Sequence, residues 1–380
     1  MKIVVVVDSF KGSLSSLEAG KIIEIGIKRV YPQSKVIVKP LADGGEGTVE
    51  TLVEGMNGRI RSLKVIGPLG KLIECSYGII DSKNMAIIEM AKIAGLTLVC
   101  KEQRNPLITT TYGVGQVIMD AIDQGCRRFI IGIGGSATND GGIGMLQALG
   151  FKMLDQDNSQ VEFGAKGLKQ LKKIDDSKVL PVIKECEFMI ACDVINPLCG
   201  PLGASVVYGV QKGADQHLIE QMDTWLNNYA ILSKQKYVHA DACYPGSGAA
   251  GGLGFAFLTY LDAKLESGID LILQEIKLEE EIKDANLVIT GEGQLDFQTA
   301  MGKAPIGVAK LAKKYQLPVI AFSGSIAKGA NECNDMGIDA YFSILRNVVT
   351  LQEAMDKQLA KENMIDTVEQ VFRLWQVCKL

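Results

Sequence analysis

Apolar and polar positions divide the chain into strand-like runs followed by amphipathic stretches. Residues 2–7 form a continuous β-branched run, the pattern of a strand buried on both faces of a parallel sheet. Ser15 with Glu18 three residues on reads as a capping box, predicting a helix to about Arg29. A second strand is expected at Val36 to Lys39, then a polar glycine-rich stretch, Asp43 to Thr48, and another helix. From about Gly58 to Met90 the pattern changes to short alternating strands, at 59–65, 75–80 and 85–89. Helical segments at 115–124 and 142–149 then alternate with strands at 129–131 and 187–192. The last hundred residues return to a clean strand and helix alternation, with strands at 287–290, 318–322 and 340–343. The pattern implies an α/β protein.

With 380 residues, two domains are expected, because single cores stop growing at roughly 250–300 residues. The cleanest doubly wound patterns lie at the two ends of the chain. Residues 1–60 plus 285–380 are therefore expected to form one discontinuous domain with a parallel sheet, and residues 61–284 an inserted α/β domain. The 40 Lys+Arg against 44 Asp+Glu leave a net charge of −4, and no basic run interleaved with aromatics marks a nucleic-acid surface. The first apolar run meets Asp8 after five residues, too short for a signal-peptide core or a membrane span. A cytoplasmic protein with no membrane partner is expected. The nine cysteines show no C-x-x-C spacing, and His217 and His239 are the only histidines, which argues against a zinc site, a disulfide framework or a His-centred triad. The cysteines, Cys192 and Cys199 among them, are expected to be small buried apolar residues.

Glycine is abundant, 41 copies, and gathers into clusters at the ends of apolar runs. Gly132 to Gly142 reads GIGGSATNDGG, and its first half, Gly132 to Ala137, fits G-x-G-x-x-A, with Asp155 about 20 residues on. Three readings stand: an NAD-binding fingerprint, a tight structural turn, and a phosphate cradle. The cradle suits the hydroxyls of Ser136 and Thr138 and the many unobstructed N–H groups, and it assigns nucleotide binding to Gly134, Gly135, Ser136, Thr138 and Asn139. The stretch Pro245 to Gly254 offers a second small-residue surface, for a ligand or for tight helix packing. No G-x-x-x-x-G-K-[ST] loop and no protein-kinase signature is present. Acidic residues recur beside the glycines, at Asp8, Asp43, Glu46, Asp140, Asp193, Glu292 and Asp296, with Lys11, Lys212, Lys303 and Lys328 available as cations. Carboxylates for Mg²⁺ and cations for phosphate are what phosphoryl transfer requires.

These motifs together resemble the bacterial glycerate kinase family. The resemblance rests on Asp8-Ser9-Phe10-Lys11-Gly12, Asp43 to Thr48, the Gly132 to Gly142 loop, Cys192 to Leu198, Tyr208 to Ala214, Pro245 to Gly254 and Thr290 to Gly293. Val210 and Ser247 depart from the family pattern at positions that concern loop geometry rather than chemistry. The resemblance implies ATP-dependent phosphorylation of D-glycerate on two α/β domains, one of them discontinuous, with the active site in the cleft between them; a Mg²⁺-dependent reaction giving 2-phosphoglycerate or 3-phosphoglycerate is expected. Ser9 and Lys11 are then expected to bind the substrate carboxylate. Asp193, which follows an apolar strand and falls within a family motif, is expected to be the base, leaving Asp43, Glu46 and Asp296 for Mg²⁺.

Overall fold

The computed structural model describes residues 1–378. It divides into two compact units: unit 1 comprises 1–43, 50–57 and the chain from 269 onward, and unit 2 comprises 44–49 and 58–268. Among the described residues thirteen strands form three sheets. In chain order they are β1 (Lys2–Val7), β2 (Lys35–Pro40), β3 (Arg59–Ile66), β4 (Leu72–Ile80), β5 (Met85–Glu89), β6 (Arg128–Gly132) and β7 (Lys152–Leu154). They continue with β8 (Lys173–Asp175), β9 (Glu187–Ala191), β10 (Lys264–Glu266), β11 (Leu287–Leu295), β12 (Val319–Ile326) and β13 (Ala340–Ser343).

Unit 1 carries an all-parallel sheet in the order β13-β12-β11-β1-β2, with Val5 of β1 in register with Ile289 on one side and Val38 on the other. Ile3, Val5 and Val7 point to one face and pack with Ile23 and Ile27 of the helix Ser16–Val30 and with Met364, Val368 and Phe372 of the helix Lys357–Val377. Val4 and Val6 are buried on the other face, which is why the run is apolar throughout rather than alternating. The capping box forms as expected: the Ser15 hydroxyl accepts from Glu18 N, and Glu18 accepts from Ser15 N. Gly26 lets the two helices meet, since a Cβ there would lie 2.8 Å from Val368.

Unit 2 carries a six-stranded mixed sheet, β10-β9-β6-β5-β4-β3. The first four of these strands pair in parallel, whereas β5-β4-β3 form an antiparallel meander, which accounts for the alternating pattern between Gly58 and Met90. Phe129 of β6 stacks on Phe188 of β9, with ring centroids 4.8 Å apart. The strands β7 and β8 form a separate antiparallel pair.

Three segments fall differently from the boundaries read in the sequence, one of them being residues 58–60, which belong to unit 2, where β3 begins. Residues 269–284 belong to unit 1, where Ile269 packs against Gly307 so closely that a Cβ on Gly307 would lie 2.4 Å from it. Residues 44–49 belong to unit 2, where the Val49 N–H donates to the buried Glu89 carboxylate at 2.8 Å. The expectation for cysteine holds for Cys75, Cys126 and Cys333; Cys192 and Cys199 are half-buried, and Cys100, Cys243 and Cys378 are exposed. Among the described residues no helix is long and apolar enough to cross a membrane.

Candidate active site

In unit 1 the strand order reverses between β1 and β11, the topological position at whose carboxyl edge open α/β sheets bind ligands. Asp8 and Ser9 leave the end of β1, where the Asp8 N–H donates to Gly291 O of β11 at 2.8 Å. A tight turn follows, in which Phe10 and Leu14 exchange backbone hydrogen bonds, and it presents Lys11 to solvent. Asp43 comes from the segment after β2, Glu292 from the end of β11, and Ser325 from the end of β12. These residues, with Asp296 and Lys303, line a cavity of about 360 Å³ within unit 1.

The cavity's two deepest carboxyls are both shifted. Burial pushes Asp8 up to about 6, the Ser9 N–H at 2.6 Å opposes the rise, and the Asp43 carboxylate adds to it. Burial pushes Glu292 up to about 7, against the Thr299 hydroxyl that donates to it at 2.7 Å and the Lys303 charge. Asp8 and Asp296 raise it further. A carboxyl poised near neutrality beside lysines is what proton transfer from an alcohol calls for. Neither Asp8 nor Glu292 was singled out for a role by sequence; the signal available was Asp8 directly after the β-branched run and Glu292 one glycine beyond the apolar run Leu287 to Thr290.

Asp296 has another occupation. It caps the helix Phe297–Ala300, its Oδ1 accepting from Gln298 N at 2.8 Å and Thr299 N at 3.1 Å. Its Oδ1 is thereby committed to the helix cap, while the residue still lines the cavity. Among the described residues no three His, Cys, Asp or Glu side chains are grouped to hold a metal ion. Mg²⁺ commonly takes one or two carboxylates plus substrate phosphate and water.

In unit 2 the loop after β6 runs without helix until Ile143–Ala148. Gly134 and Gly135 are exposed, and a Cβ at Gly134 would meet nothing within 4 Å. Ser136, Thr138 and Asn139 are buried, contrary to their expected place on the binding surface: the Asn139 amide donates to the Ser205 hydroxyl at 2.9 Å. The cause is the segment after Pro245, which turns through left-handed Ala250, Gly251 and Gly252 and packs its backbone against the loop. A Cβ on Gly251 would fall 2.1 Å from Thr138 O, so that small-residue surface serves loop packing.

The NAD reading fails on the same geometry. Left-handed Gly141 and Gly142 stand where its helix would run, and Asp155 adjoins β7, outside the sheet that holds β6. Asp155 accepts from Asp157 N and Ser159 N, a turn role. Asp193 follows β9 in unit 2, is exposed, and accepts from Gly268 N at 3.0 Å. Glu46 is exposed on the 44–49 segment.

Comparison with known proteins gives a consistent picture. The glycerate kinase family model matches residues 3–376. A glycerate kinase of Halalkalibacterium halodurans is 48% identical over 355 residues, 93% of either chain. A glycerate 2-kinase of Escherichia coli K12 is 47% identical, again over 93% of either chain. A crystal structure assigned as glycerate kinase 2 of Salmonella typhimurium LT2 superposes with a TM-score of 0.92 at 44% identity, covering 100% of this chain and 99% of that one. Identity of this level, sustained from the first strand to the last helix, means that the chain belongs to the glycerate kinase family.

Proposed function

We propose that the protein transfers the γ-phosphoryl group of ATP to the C2 hydroxyl of D-glycerate, releasing ADP and 2-phosphoglycerate, with Mg²⁺ neutralising the phosphates. The observation that carries this reading is the cluster of Asp8, Glu292, Lys11 and Lys303 around one cavity at the carboxyl edge of the parallel sheet. Membership of the glycerate kinase family supports it, and the Escherichia coli relative's description as a 2-kinase favours C2 over C3.

In this reading the Lys11 ammonium and the Ser9 hydroxyl bind the glycerate carboxylate by charge-assisted hydrogen bonds. Glu292 accepts the proton of the attacking hydroxyl as its oxygen bonds to the γ-phosphorus and the bond from that phosphorus to the β,γ-bridging oxygen breaks. The base thus moves from Asp193, which is exposed, to a carboxyl whose burial already holds its proton affinity near neutrality. Asp43, which lines the same cavity, is the carboxylate that would hold Mg²⁺, whose chemistry is to neutralise developing phosphate charge. The Gly134 and Gly135 N–H groups face the nucleotide phosphates, where no Cβ intervenes.

The test is a product assay. Incubated with ATP, Mg²⁺ and D-glycerate, the protein should give a product that enolase consumes without added phosphoglycerate mutase. A product consumed only when the mutase is present would move the transfer to C3. No ADP release with D-glycerate would overturn the reading.

A further inference from the structure

Lysine is almost never fully buried unless it is paired, yet Lys212 in unit 2 is only 2% exposed. It ends a single turn, Val210–Lys212, capped by left-handed Gly213, where a Cβ would lie 2.1 Å from the Arg104 carbonyl. The chain is thereby held so that the lysine points inward. Its ammonium donates to the Thr138 carbonyl at 2.7 Å, its one hydrogen bond among the described residues. Beside it the Thr138 hydroxyl and the Asn139 amide oxygen are buried without partners.

Two residues further along the same loop, Asp140 is wholly buried and accepts from Thr111 N and Oγ1, both at 2.9 Å, and from Gly142 N at 3.1 Å. Asp140 is also the charge that most offsets the burial of Lys212, whose value burial lowers to about 7. Burial pushes the Asp140 carboxyl up, and the donors from Thr111, Gly142 and Gly144 oppose that rise by favouring its ionised form; ionised, it is a weakly screened negative charge behind a loop that receives an anion, and it works against binding. A neutral side chain of equal length would fill the same space without the several kcal/mol that burying an ammonium costs. Retaining the charge therefore needs a reason beyond packing.

We propose that Lys212 is a positioning residue of the nucleotide site: it draws the Thr138 carbonyl inward and cancels the field of Asp140, so that the Gly134 and Gly135 N–H groups meet a polyphosphate with no opposing charge behind them. This rests on the reading of Gly132 to Gly142 as the phosphate loop. The ammonium acts through the loop backbone and its field, without touching the nucleotide.

Such a field scales with the charge of what binds, whereas a packing role does not. Calorimetric affinities for metal-free ATP, ADP and adenosine at pH 6.0, on the acid side of the value of about 7 to which burial lowers Lys212, separate the two. Lys212→Met is expected to lose about tenfold or more for ATP, less for ADP, and under about twofold for adenosine. An equal loss for all three, or no loss, overturns the inference. Lys212→Gln keeps a donor for the Thr138 carbonyl without the charge and decides the matter should the Met variant not fold: a graded loss supports the inference, and wild-type affinities overturn it. Gly134→Val serves as the separate control on the loop. Unchanged ATP affinity in that variant would overturn the phosphate-loop reading itself, whereas a loss there with none in the Lys212 variants would overturn the role of Lys212 alone.

Discussion

Replacing Glu292 with Gln tests the proposed base and the cost of burying it in one variant. Gln keeps the size and an acceptor for the Thr299 hydroxyl, and removes the ionisable proton. Burial raises Glu292 from 4.5 to about 7. At about 1.4 kcal/mol per pKa unit, that displacement corresponds to roughly 3 kcal/mol of native-state destabilisation once the group is ionised. A carboxyl held above its unfolded value binds its proton more tightly in the folded chain. Its contribution is therefore most favourable below about 4.5 and is lost as pH rises through about 7. Glu292→Gln should be more stable than wild type at pH 8 by up to about 3 kcal/mol, and the gain should shrink toward pH 4.5. Denaturation followed by fluorescence in a Trp225→Phe background isolates Trp375, which lies in unit 1 with Glu292. The same variant should lose roughly 10²–10⁴ in kcat, and the wild-type acid limb near pH 7 should disappear from its residual activity. A variant with near-normal kcat would refute the assignment of the base, and loss of turnover in Asp193→Asn alone would return the role to Asp193. An equal stability difference at both pH values would refute the burial argument.

Asp296→Ala should cost about 0.5–2 kcal/mol of stability, the usual worth of an N-cap, with the Mg²⁺ dependence of turnover unchanged; a raised Mg²⁺ requirement would assign Asp296 to the metal. Lys11→Met should lower kcat/KM for glycerate by about tenfold or more while the KM for ATP stays within about twofold, and equal losses would assign Lys11 to the transferred phosphate. Gly134→Val should raise the KM for ATP about tenfold at an unchanged melting temperature, since the space beside it is open. At Gly135, where φ is +70°, the same change would strain the backbone and confound the readout.

Much of this molecule is written in short windows. The β-branched run of β1, the Ser15 capping box and the strand ends at Glu89 and Ser343 follow from periodicity and local hydrogen bonding, which need no distant partner. The discontinuous parallel sheet also follows from the recurrence of one pattern at both ends of the chain. The placement of 269–284 was not legible, because Ile269 finds its partner at Gly307 only after the chain has folded back. Function divides along the same line. Sequence located the glycine clusters at strand ends, since backbone must turn sharply there. It could not tell which of their polar groups stay at the surface: Thr138 and Asn139 are buried by backbone from residues 250–252, and Asp296 is held by its own helix. Nor could it rank the carboxylates. Asp8, Asp193 and Glu292 are alike as letters, and what separates them is desolvation by segments remote in the chain, together with the neighbours that tertiary folding brings beside each one.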